Sequence, residues 1–83
     1  MNRHYIVSVE SKVDNYVHNF VDGKEAVILE ANCGEHAWFT YKLPEDKMFP
    51  WHRVCTSIVQ ETQDTPESFK IITENSIYTF VEK

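Results

Sequence analysis

From Tyr5 to Glu10 apolar and polar residues alternate, which places Tyr5, Val7 and Val9 on one face of a first strand. The period then changes. Val13, Tyr16, Val17, Phe20 and Val21 recur at the spacing of an amphipathic helical stripe. Ser11 stands where it would cap that helix, with Asp14 completing the box, and Gly23 where it would end it. Read as a strand, the same stretch puts its apolar residues on both faces, and Asp22-Gly23 also suits a hairpin turn. A helix is the expectation for this stretch, with a strand as the alternative.

Beyond Gly23 the pattern is strand-like. Ala26 to Ala31 and Ala37 to Lys42 flank a turn at Asn32-Cys33-Gly34-Glu35 and read as a hairpin. Pro44 to Pro50 is a connecting loop, charged at first and then apolar at Met48 and Phe49. Val54 to Gln60 is another strand, Gln63 to Ser68 a polar turn, and Phe69 to Val81 strand-like throughout with a bend at Glu74-Asn75. The expected fold class is α+β, predominantly antiparallel β: a small twisted sheet or barrel with one packed helix. The alternative is an all-β small barrel. At 83 residues the chain makes a single domain, 1–83.

Composition adds a partner class and removes others. Eleven aromatic rings, from five Phe, four Tyr and two Trp, give so short a chain a large burial per residue. Thirteen acidic against eight basic side chains leave a net charge of −5. That balance disfavours direct nucleic-acid binding, which needs clustered cations, and suits docking onto a protein with a basic surface. No apolar run approaches the roughly 18–20 residues of a membrane span, so no membrane partner is expected. The amino terminus carries no signal-peptide core. The expected location is therefore cytoplasmic, with Cys33 and Cys55 as free thiols or metal ligands rather than a disulfide. Edge strands make a homodimer possible.

Two constellations compete for a function. Cys33 and His36, then His52 and Cys55, form two spaced pairs of the ligand types that suit tetrahedral zinc. Against that reading, residues three apart in a strand point to opposite faces, so His52 and Cys55 converge only across a bulge. No cofactor is the first expectation, with this zinc site as the alternative. No phosphate loop, nucleophile elbow or metalloprotease motif occurs, so no catalytic residue is assigned and the chain is not read as an enzyme.

The second constellation is Met48-Phe49-Pro50-Trp51-His52-Arg53, with Trp38 outside it. Trp, Phe, Met and Arg are the side chains that anchor protein interfaces. Trp38, Met48, Phe49, Trp51 and Arg53 are the candidate partner-binding residues. The competing structural role is that Phe49 and Trp51 fold back to plug one end of the sheet. Trp38, Thr40 and Lys42 share a face opposite Ala37, Phe39 and Tyr41, a sparse version of a single-stranded nucleic-acid platform.

The final third carries Thr56-Ser57-Ile58-Val59 and then Thr73-Glu74-Asn75-Ser76-Ile77-Tyr78-Thr79-Phe80. This resembles a pattern at the carboxyl end of small phage and prophage proteins of Gram-positive bacteria. Physically, Thr, Ser and Asn there are placed to exchange hydrogen bonds between strands, with Tyr78 and Phe80 filling the core. The resemblance implies an accessory protein, acting in the host cytoplasm, that binds and inhibits a host protein. An anti-CRISPR or other anti-defence inhibitor is a member of that class.

Overall fold

The computed structural model describes residues 3–12 and 21–83. The helical stripe expected at 13–20 lies outside them. The described residues form six strands: β1 (Tyr5–Ser11), β2 (Glu25–Glu30), β3 (His36–Lys42), β4 (Trp51–Asp64), β5 (Ser68–Thr73) and β6 (Ser76–Glu82). Each pairs antiparallel with the next, and β6 returns to β1, so the sheet closes into a barrel. The described residues therefore form the all-β barrel of the alternative reading rather than an α+β sheet: none of them is α-helical, and the strands enclose their own core.

Alternation fills that core. Val7, Phe39, Ile71, Tyr78 and Phe80 are fully buried on the inward face, with Tyr5, Val9 and Phe69 packed against them. Phe39 meets Tyr78 and Phe80 edge-on, at ring-centroid distances of 5.4 and 5.2 Å. Each such pair contributes about 0.5–1.5 kcal/mol beyond its burial.

Closure of so few strands needs strong curvature, and three bulges supply it. Leu29 is the extra residue of β2 against β3, between the pairs Ile28–Phe39 and Glu30–Trp38. In β4, Thr56 and Ser57 together oppose Ala37, and Gln60 is extra against β5. The Thr56 bulge is satisfied internally: its buried Oγ1 accepts from the Ala37 N–H at 3.0 Å and donates to the Ser57 carbonyl at 2.7 Å.

Two boundaries differ from those expected. β4 runs for 14 residues and takes in Trp51, His52 and Arg53 at one end and Glu61, Thr62, Gln63 and Asp64 at the other. Its first half pairs with β3 and its second with β5. The bulges break its alternation, which is why the sequence pattern shows only the middle. Phe69 to Val81 is also not one bent strand but a β5–β6 hairpin. Thr73 Oγ1 accepts the N–H groups of Asn75 (3.3 Å) and Ser76 (3.1 Å), which turns the chain at Glu74-Asn75. Asn75 Nδ2 donates to Ser57 Oγ at 2.8 Å, so the expected exchange between the two C-terminal segments is present.

The β1–β2 seam is short, with the pairs Tyr5–Ala26 and Ile6–Glu25. Gly23, at a φ of 80° that favours glycine, donates to the Val7 carbonyl at 2.7 Å, and Asp22 Oδ1 accepts from the Val9 N–H at 2.8 Å. Asp22-Gly23 thus anchors the start of β2 on β1.

Candidate functional site

The register of β3 against β4 sorts the candidate residues by face. Phe39 faces Val54 and Tyr41 faces His52 inside the barrel, while Trp38 faces Cys55, Thr40 faces Arg53 and Lys42 faces Trp51 outside it. Cross-strand neighbours on one face interact directly or diagonally. Accordingly the Arg53 guanidinium lies 5.9 Å from the Trp38 ring centroid, and Lys42 Nζ lies 5.9 Å from that of Trp51. His4 meets the Trp51 ring edge-on at 5.8 Å. A cation over an exposed indole is worth about 0.5–1 kcal/mol, enough to bias each ring toward that orientation.

The β2 bulge extends this face. It turns Leu29 outward, beside Trp38, and the two side chains line a shallow groove of about 280 Å³ with Glu30 and Arg53. Bulges re-aim side chains in this way at binding sites.

Between Lys42 and Trp51 the loop is held from within. The Leu43 N–H donates to the Pro50 carbonyl at 2.6 Å, and the Asp46 N–H to the Leu43 carbonyl at 3.1 Å. Asp46 Oδ1 accepts the Phe49 N–H at 3.0 Å. This bond holds the Asp46 carboxyl below its ordinary range, with the Met48 N–H and His52 adding to it and burial opposing. His52 Nε2 stands 3.4 Å from Asp46 Oδ2, beyond a good hydrogen bond, and that buried nitrogen has no hydrogen-bond partner among the described residues.

On this braced loop Met48 is 82% exposed and Phe49 70%, while Trp38 and Trp51 are each 37% exposed. Phe49 and Trp51 therefore do not plug the end of the sheet. All five candidate binding residues, Trp38, Met48, Phe49, Trp51 and Arg53, belong to one hairpin, on its outer face or in its connecting loop.

The four spaced Cys and His residues are not brought together. His52 points inward, stacked on Tyr41 at 5.7 Å, while Cys55 points outward opposite Trp38. His36 Nδ1 donates to the Thr56 carbonyl at 2.6 Å, and Cys33 is an exposed free thiol in the β2–β3 turn. Among the described residues no group of three or more potential ligands converges. The strand period separates what the spacing suggested.

Leu29 belongs to the face without having been singled out in the sequence, whereas Lys42 was placed there with Trp38 and Thr40. Lys42 was legible, since it shares alternation with Trp38. Leu29 sits in the unbroken apolar run Ala26-Val27-Ile28-Leu29, where nothing in the pattern marks the bulge. Compared with protein-family models, with curated proteins and with solved structures, the chain matches none of them.

Proposed function

We propose that this chain is a non-catalytic binding module that captures a protein partner through the outer face of the β3–β4 hairpin and the loop joining the two strands. The observation that carries the reading is the exposure of Trp38, Met48, Phe49 and Trp51 on one hairpin whose loop is braced by Asp46. Monomeric proteins rarely leave such side chains together in water without a use for them. A braced loop also loses little freedom on binding, so its apolar contacts count nearly in full toward affinity.

The face between Trp38 and Lys42 is roughly 13 Å long, the size of the energetic centre of an interface rather than of a whole one. The resemblance of the C-terminal third to phage and prophage proteins supports a host protein as the partner. Occlusion of a host enzyme or defence nuclease, as by an anti-CRISPR, is then the outcome of binding.

The test is capture from a Gram-positive bacterial lysate, comparing wild type with a Phe49→Ala/Trp51→Ala variant of matched melting temperature. A stoichiometric protein retained by the wild type and lost by the variant supports the reading. Equal capture by both removes the face from it.

A further inference from the structure

The outer face of β2, β3 and β4 is balanced in charge although the chain is not. Its carboxylates, Glu25 and Glu30, stand on β2, and its cations, Lys42 and Arg53, on β3 and β4. The surplus that gives the chain its net charge of −5 therefore lies off this face. The joining loop adds Lys47 against Glu45 and Asp46, and Asp46 is turned to Phe49 and His52. Glu25 is bound by Lys83 and His4, whereas Glu30 accepts only from the neutral Asn32, at 3.2 Å. Arg53 lines the same groove as Glu30, yet among the described residues it makes no ion pair. Glu30 and Arg53 thus share a face without meeting inside one molecule.

We propose that this face is the contact of a symmetric dimer, in which a second copy of the chain covers it with the same face. A two-fold contact needs a self-complementary patch, on which each residue meets another and is met by it in return. Carboxylates confined to β2 and cations confined to β3 and β4 make such a patch. A two-fold axis lying in the interface along β3 sets β2 of each copy over β4 of the other. Glu30 of one copy then meets Arg53 of the second, twice by symmetry, and Trp38 meets its counterpart beside Leu29. Arg53 presents a planar fork that a carboxylate accepts in two bonds. Strand edges do not supply the contact, because β6 returns to β1 and each described strand already has a neighbour on both sides.

The size of the face sets the strength of the dimer. Three strands about 4.8 Å apart and seven residues rising about 3.3 Å each make, with their side chains, a face of roughly 15 by 20 Å. With Met48 and Phe49 of the loop it buries on the order of 500 Å² per copy, or about 1,000 Å² in all, the lower bound for a specific interface. A weak, reversible dimer follows. It rests on the same face as the binding reading above, so a second copy and a protein partner exclude one another. Capture of the partner then weakens by mass action as the chain becomes more concentrated.

The test is self-association in the absence of any partner, by sedimentation equilibrium from micromolar to millimolar chain. Wild type is compared with Glu30→Arg, with Arg53→Glu and with their equimolar mixture, all at matched melting temperature. Each single reversal sets like charges against each other at both symmetric contacts, and the mixture restores opposite charges at both. The expected result is a wild-type dimer, self-association weakened at least about tenfold in each variant alone, and recovery of a dimer in the mixture. Recovery should be lost again when both copies also carry Trp38→Ala. Dilution of wild type, followed by the indole N–H resonances of Trp38 and Trp51, needs no variant and should move both. A chain monomeric up to millimolar concentration would overturn this proposal and leave the binding reading standing. So would a dimer that ignores both reversals, fails to recover in the mixture or leaves the indoles unmoved on dilution, since its contact would then lie elsewhere. Failure of the binding reading shows separately, as equal capture of a protein partner by wild type and the Phe49→Ala/Trp51→Ala variant.

Discussion

Replacing Thr56 by Val tests how the barrel sets the register of its binding face. Thr56 is 2% exposed, and Val matches its shape and strand preference. The substitution leaves no cavity but removes the acceptor of the Ala37 N–H and the donor to the Ser57 carbonyl. A buried amide without a partner costs about 1–3 kcal/mol. Exchanging a hydroxyl for a methyl returns about 0.8 kcal/mol of burial. The net loss is then on the order of 1–2 kcal/mol, and each kcal/mol lowers the melting temperature of a domain of this size by about 4–8 °C. Thr56→Ser keeps both hydrogen bonds and loses one methyl, about 0.8 kcal/mol.

Thermal and urea melts of the three proteins decide the matter. Both variants are expected below wild type, with the Val variant losing stability although it buries more carbon. A Val variant as stable as wild type, beside a weaker Ser variant, would show that burial alone holds the bulge. The consequence reaches the site, because a register slip of one residue would exchange Trp38 and Arg53 for inward-facing neighbours.

Other consequences separate core from surface. Phe39→Ala should cost about 3–5 kcal/mol, against a total of roughly 4–12 kcal/mol for a chain of this length, and leave the protein barely folded in a melt. Phe49→Ala should change stability by less than about 0.5 kcal/mol, and a large loss there would return Phe49 to the core. The Glu25 carboxyl is held below its ordinary value chiefly by Lys83, then by His4. A depressed folded-state value contributes stability above the unfolded value, near pH 4.3, and loses it as pH falls through the folded one. Glu25→Gln should therefore flatten the acid limb of a stability–pH profile below about pH 4.5, and an unchanged limb would deny the link. A chelator should leave the melting temperature where it was, since Cys33, His36, His52 and Cys55 do not converge; a fall restored by zinc would revive that site.

Much of the fold could be read along the chain, and what could not has local causes. β1 and β3 were legible to within a residue because Tyr5, Val7 and Val9, or Ala37, Phe39 and Tyr41, alternate without interruption, and β2 because the short apolar run Ala26-Val27-Ile28-Leu29 is bounded by turn residues. β4 was not, because the Thr56–Ser57 and Gln60 bulges shift its phase and Pro50 makes Trp51 look like loop. The β5–β6 turn was hidden because Glu74-Asn75 is closed by the Thr73 side chain rather than by glycine or proline. Closure of the barrel depends on pairing β1 with β6, a non-local match that periodicity does not encode. Within the site, alternation placed Trp38 outward and residue type marked Met48, Phe49 and Trp51. The four zinc-spaced residues do not converge among the described residues, because the strand period puts His52 inside the barrel and Cys55 outside it, as their spacing of three suggested.

The chain has two tryptophans, and Trp38 and Trp51 both lie on the proposed face. Their indole N–H resonances in a nitrogen-15 correlation spectrum, followed as the captured partner is added, therefore report on that face alone. Binding through it predicts that both resonances shift and saturate at the stoichiometry of the complex. A partner that binds tightly and leaves both indoles unmoved would place the interface elsewhere on the barrel and contradict the account.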